Sequence, residues 1–437
     1  MSVPHRLLQT YRLPDLLVRE HLFEVPLNHG LDPASSIPVS ERIEVFAREV
    51  VAPERAQDDL PWLIFLQGGP GFGAPRPMDN SGWIKRALKD HRVLLMDERG
   101  TGRSTPQTFQ SLGHLEDPKA QAEQLAMFRA DSIVADCELL RRELLGEDKP
   151  WKVLGQSFGG FCATNYLSAA PNGLSAALLT GGLPPLDATA EEIYRRTYPL
   201  VIERNHNYYE RYPEDVELIR AVAERLDRGD VQLPTGGLLS TQFLQVVGLS
   251  LGMSDGAEAI HYLFEDAWVA GQVGEELSYQ FLRKFENHQS FDTNPIFALL
   301  HEGCYTQGSA SRWSADRVRA EFPGFDSPDG PLQFTGEMIY PWMFDELPAL
   351  QPLAAAAEHL AQRKDWPRLY DPKVLAQNTV PVAAAVYHND MFVEREFSLE
   401  TAKAIRGTKT WITNEYEHNG LRVDGEHILD RLLEMTV

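Results

Sequence analysis

In the stretch Gly155-Gln156-Ser157-Phe158-Gly159 a hydroxyl stands between two glycines, directly after the apolar run Trp151-Lys152-Val153-Leu154. A strand that turns sharply into a helix brings backbone so close that a Cβ at Gly155 or Gly159 would clash, and it pushes the central side chain out of the sheet. That is the nucleophile elbow G-x-S-x-G, which makes Ser157 a candidate nucleophile for acyl transfer. Taken alone, five such residues are also an ordinary turn. The partners of the serine decide between the two.

A serine that attacks a carbonyl needs a base for its proton, an acid to orient that base, and N–H donors for the oxyanion. On a sheet of this kind the chain order is Ser, then Asp or Glu, then His. Asp390 follows the run VPVAAAVY (380–387) and His418 follows TKTWITNEY (408–416), each at the loop expected after a strand. His388 precedes the acid and His427 falls inside the closing amphipathic helix, so position selects His418. The N–H of Phe158 is one oxyanion donor. The other should come from the loop after the run LPWLIFLQ (60–67), at Gly68 or Gly69, where glycines let backbone approach the reacting carbonyl. A phosphate cradle is disfavoured there, because no Gly-Lys-Ser/Thr follows and Pro75 and Pro77 interrupt any helix.

These residues need a sheet to hold them. LVREHLFEVPL (17–27) and RIEVFAREVV (42–51) alternate as antiparallel strands do. LPWLIFLQ (60–67), HRVLLMDE (91–98), WKVLG (151–155) and SAALLTGG (175–182) are short, apolar and separated by helix-like segments, which indicates an α/β fold with a mostly parallel sheet. From about 187 to 354 helical patterns are long, strand signals scarce and aromatics frequent. Residues 1–186 and 355–437 therefore read as one α/β catalytic domain, and 187–354 as a mainly helical cap domain inserted into it. A composite site between cap and sheet is the expected consequence.

The formal net charge is -22, and 27 acidic against 12 basic residues place most of it in the insertion. A solvated acidic face accounts for most of these. Nucleic acid and anionic membrane surfaces are disfavoured as partners, and a neutral or cationic one is favoured. Cys137, Cys162 and Cys304 lie far apart without metal-ligand or disulfide-framework spacing, so neither a metal nor another cofactor is expected. With no apolar leader-like run and no stretch of ~18 apolar residues, the expectation is a cytoplasmic protein with no membrane association.

GGPG at 68–71, DERGTGRST at 97–105, GQSFGG at 155–160, FTGEMIYPWMF at 334–344, the Asp390 loop and EHNGLR at 417–422 together resemble the proline iminopeptidase (prolyl aminopeptidase) family of α/β-hydrolases. The resemblance spans nearly the whole chain. One departure is Gln67, where many members carry His before GGPG. It implies release of an N-terminal proline from short peptides with a free N-terminus, with Ser157 attacking, His418 moving the proton and Asp390 holding the imidazolium. Arg99, Arg103 and Ser104 would brace loops near the site.

An aminopeptidase must also recognise a cationic amine, and a carboxylate in a low-dielectric pocket is the physical means. Glu302, Glu265 and Glu337 are the candidates, each embedded among apolar residues, with Glu302 ranked first because it ends the run Leu299-Leu300-His301. Phe264, Tyr305, Tyr340, Trp342 and Phe344 are candidates for an apolar proline pocket. A carboxylesterase or another peptidase on the same scaffold is the alternative, followed by a binding module without activity. Haloalkane dehalogenase and epoxide hydrolase chemistry are disfavoured, because the elbow carries serine and not aspartate.

Overall fold

The computed structural model describes residues 3–272, 274–327 and 330–437. In chain order its strands are β1 (His5–Leu13), β2 (Leu16–Pro26), β3 (Arg42–Val51), β4 (Trp62–Leu66), β5 (Arg92–Met96), β6 (Trp151–Gln156), β7 (Leu174–Thr180), a short hairpin of β8 (Trp268–Ala270) and β9 (Glu275–Leu277), then β10 (Val382–Tyr387) and β11 (Thr408–Thr413). All but the hairpin form one nine-stranded sheet ordered β1-β2-β3-β5-β4-β6-β7-β10-β11. The pairs from β1 to β5 are antiparallel and those from β5 to β11 are parallel.

Covering on both faces explains the continuous apolar strands. Ile64, Leu94, Met96 and Val153 join a core with helices Ala130–Leu145 and Phe158–Ala169, while Leu63, Phe65, Val93, Leu95 and Leu154 join a second core with the closing helix Gly425–Met435. Successive side chains of one strand thus feed opposite layers. The strands expected from the sequence are present, and β1 is an addition to them. Its residues are all exposed or half-exposed, so no apolar alternation marks this edge strand.

Between β7 and β10 the chain leaves the sheet for a run of helices. The first, Ala190–Arg211, opens on a reciprocal capping box in which Thr189 accepts from the Glu192 N–H while Glu192 accepts from Thr189. Helices Asp215–Leu226, Gly256–Glu265 and Tyr279–His288 follow. Their apolar faces enclose an aromatic core of Phe243, Phe264, Phe281, Phe285 and Phe334. The β8–β9 hairpin is a small exception to the helical expectation, too short to carry a periodic signal. Helix Ala354–Gln362 then packs back on helix Pro118–Leu125, and the sheet resumes.

Candidate active site

Ser157 sits between β6 and helix Phe158–Ala169 with φ 54° and ψ -124°, a conformation that only a tightly constrained turn imposes on a non-glycine residue. The crowding anticipated around it is severe. A Cβ on Gly155 would lie 2.4 Å from the Gly159 carbonyl oxygen, and one on Gly159 would lie 2.0 Å from that of Leu66. Ser157 N–H donates to the Thr180 carbonyl of β7 at 3.1 Å, which fastens the turn to the neighbouring strand.

The GGPG loop lies against the serine. A Cβ on Gly68 would meet that of Ser157 at 2.8 Å, so only glycine lets this backbone approach the hydroxyl so closely. Phe158 opens its helix, and its N–H belongs to the first turn, which has no intrahelical acceptors. Behind the loop, Asp97 accepts from Ala74 N–H and Arg103 N–H at 2.9 Å each and pairs in bidentate fashion with Arg76 at 2.6 and 2.8 Å. Ser104 Oγ donates to the Asp97 carbonyl at 2.6 Å, and Arg99 forks onto buried Asp136 at 2.7 Å. The DERGTGRST segment is therefore a brace.

Asp390 and His418 emerge from the loops after β10 and β11. His418 Nδ1 donates to Asp390 Oδ2 at 2.7 Å, and the other carboxyl oxygen accepts from Phe392 N–H and Val393 N–H at 2.9 and 3.0 Å. A carboxylate can only accept, so Nδ1 carries the proton and Nε2 of the neutral ring keeps a lone pair. Burial pushes the imidazole pKa down, but the charge and hydrogen bond of Asp390, helped by Glu337, outweigh it and leave it raised. Phe392 covers the ring edge-on at 4.9 Å.

Ser157, His418, Gly68, Gly69 and Glu337 line one cavity of about 860 Å³ between the sheet and the helical insert. Phe65, Trp83 and Leu421 line it on the sheet side, Val246, Val247 and Met253 on the insert side. Burial lifts the Glu337 pKa to about 7, with the charge of His418 pulling it down and that of Asp390 pushing it up. A serine beside glycine backbone, an imidazole held by a carboxylate and a second carboxyl in one enclosure can perform acyl transfer on a cationic substrate.

The remaining predicted pocket residues are placed elsewhere. Glu302 is buried, as its apolar context implied, but it turns away from the cavity, and its Oε1 accepts from Ala315 N–H at 2.9 Å. Burial raises its pKa against that hydrogen bond. Glu265 ends helix Gly256–Glu265 and is exposed. Tyr340 is fully buried in the insert, its hydroxyl 2.9 Å from that of Tyr198, and Trp342 stacks on it at 5.7 Å. Phe264, Tyr305 and Phe344 likewise pack away from the cavity lining. The sequence identified apolar neighbourhoods correctly but not which side of a short irregular segment faces the site. Phe392 and Trp83 were missed. Phe392, two residues past Asp390, carried a proximity signal, and Trp83 carried none.

Among the described residues no helix is long and apolar enough to cross a membrane, and no group of three or more His, Cys, Asp or Glu is arranged to hold a metal ion. Residues 61–218 match the alpha/beta hydrolase fold family. The chain is 50% identical to a proline iminopeptidase of Aeromonas sobria over 98% of both chains, and 35% identical to proline iminopeptidase aneH of Aspergillus aculeatus over 95% of this chain and 93% of the relative. A proline iminopeptidase of Neisseria gonorrhoeae is 32% identical over 33% of this chain and 38% of its own. With the mostly parallel sheet and the elbow at its centre, the chain is an α/β-hydrolase, and it belongs to the proline iminopeptidase family.

Proposed function

We propose that this protein is a serine aminopeptidase that releases proline, or another small residue, from the N-terminus of short peptides. Ser157 Oγ attacks the carbonyl carbon of the first residue while His418 Nε2 takes its proton and Asp390 stabilises the imidazolium. The oxyanion is held by the N–H of Phe158 and by backbone at Gly68 or Gly69, each donor worth about 2.7–4 kcal/mol in comparable enzymes. The imidazolium then protonates the leaving amine as the C–N bond breaks. Water repeats the attack on the acyl-serine and restores the hydroxyl.

The observation that carries the reading is Glu337. It is the one of the three candidate glutamates that lines the cavity with Ser157 and His418, and a carboxylate there satisfies the cationic amine of a substrate terminus while leaving an internal peptide unrecognised. Glu337 is therefore assigned as the amine anchor. Residues 187–354 act in this reading as a cap domain on the catalytic unit of 1–186 and 355–437. Three buried, unpaired cysteines suit a reducing compartment, which favours the cytoplasm.

The deciding experiment compares hydrolysis of free and N-acetylated proline anilide. Acetylation removes the charge and leaves Glu337 without its partner, so the free amine is expected to be cleaved at least about a hundredfold better. Equal rates would overturn the aminopeptidase reading in favour of an esterase or endopeptidase.

A further inference from the structure

The two loops that carry Asp390 and His418 share a partner that belongs to neither. Arg204, two-thirds of the way along helix Ala190–Arg211 of the insert, directs its guanidinium at both. Nη1 donates to Glu417 Oε1 at 2.9 Å, Nη2 closes a second bond to Glu417 Oε2, and Nη2 also donates to the Asn389 carbonyl oxygen at 2.7 Å. Asn389 immediately precedes Asp390, and Glu417 immediately precedes His418. One planar group therefore ties together the residues next to the acid and next to the base.

The insert also holds the histidine loop through its backbone and through Asn419. His418 N–H donates to the Gly252 carbonyl at 3.1 Å, and Asn419 Oδ1 accepts from Ser254 N–H at 3.0 Å and from Ser254 Oγ at 2.9 Å. The sheet itself supplies a backbone bond from the first residue past β10 to the last residue of β11, His388 N–H to the Thr413 carbonyl at 2.8 Å. That bond lies at the strand ends, below the triad residues.

We infer that Arg204 is a positioning residue which holds the Asp390–His418 pair in register, so that the base is aligned only while the insert is seated on the sheet. The inference rests on the assignment of Ser157, His418 and Asp390 above. Arginine suits the task because its rigid fork makes bidentate contact with a carboxylate and still has a donor for a carbonyl, which an ammonium on a flexible stem cannot reproduce. Glu417 is about a quarter exposed and Arg204 about a sixth, so water can solvate either partner when the other is removed. Loss of the clamp is therefore expected to disturb alignment far more than folding.

The test uses three variants, Arg204→Lys, Arg204→Met and Arg204→Ala, and three readouts. These are turnover of proline anilide, turnover of a simple ester, and the rate at which a fluorophosphonate probe labels Ser157, which depends on His418 and not on the peptide substrate. Arg204→Met and Arg204→Ala should lower kcat and the labelling rate at least about tenfold, since small misplacements of reacting groups cost up to about a hundredfold. KM for proline anilide should stay within about threefold and the apparent melting temperature nearly unchanged, and Arg204→Lys should recover part of the loss. Unchanged kcat and labelling in Arg204→Met, a loss confined to KM, or a loss that tracks the melting temperature would overturn the inference. A wild-type protein that labels and cleaves ester but not proline anilide would defeat the aminopeptidase reading alone, leaving ester and probe to decide the clamp. A wild-type protein whose Ser157 is not labelled would defeat both.

Discussion

On the sheet side of the cavity the polar groups are already engaged: Asp390 accepts three N–H groups, and the Ser157 turn is pinned between β6, β7 and the GGPG backbone. On the insert side Glu337 shares its wall with Val246 and Val247, and its carboxyl pKa is set by burial against the charges of His418 and Asp390. The sheet side is held by the protein's own hydrogen bonds, whereas on the insert side the proposed reading gives Glu337 the substrate amine as its partner. In that reading a preorganised half lowers the barrier for any acyl group, and the Glu337 half selects which molecule brings it. Chemistry and selectivity should thus be separable by mutation.

The strongest way to break that separation is at the nucleophile. Ser157→Ala should abolish turnover of peptide and ester alike, by about 10⁶-fold, with the melting temperature preserved, because the elbow tolerates a smaller side chain. Asp390→Asn should cost about 10⁴-fold through the wrong tautomer of His418. Residual activity above about a hundredth in Ser157→Ala would mean that another group attacks.

Glu337→Gln sharpens the comparison from the other side. It should lower kcat/KM for free proline anilide by about a hundredfold, equivalent to roughly 2.7 kcal/mol, and leave an ester within about threefold. Glu302→Gln is the matched control. Its Oε1 bond to Ala315 N–H survives in the amide and the residue lies outside the cavity, so both substrates should be cleaved as before. Equal losses on ester and peptide in Glu337→Gln would make this carboxyl structural.

The same division explains what the sequence made legible. The proposed triad could be drawn from the sequence because each member sits within a few residues of a strand end, where turn geometry is local and chain order is fixed by topology. Gly155, Gly159 and Gly68 announced themselves because each occupies a place where a Cβ has no room. In the insert no such local rule operates. Glu302 ends one apolar run and Glu337 precedes another, yet one turns toward the Ala315 N–H and the other into the cavity, a choice set by packing between distant helices. Tyr340 and Trp342 were misplaced for the same reason. Arg204 carried no signal at all, being one arginine in a helix rich in Arg and Glu, and its partners lie about 185 and 213 positions away.

The smallest expected effect lies in the pH dependence of stability. Glu337 is raised from the usual carboxyl value of 4.5 to about 7 in the folded protein, so between those values the native state binds a proton that the unfolded chain has released. By linkage, stability from this group is fully present below about pH 4.5 and falls as pH rises toward 7. The rise corresponds to at most about 3–4 kcal/mol, less where water reaches the carboxyl. Glutamine cannot ionise, so Glu337→Gln should gain in melting temperature over the parent as pH goes from 5 to 8, by a few degrees at most in a chain of this size. Because unfolding of large proteins is often irreversible, the two should be compared at one scan rate. A difference that is flat across this range would show that the Glu337 carboxyl is solvated, and one that grows toward low pH that the protein already pairs its charged form; either would count against Glu337 as the group that meets the substrate amine.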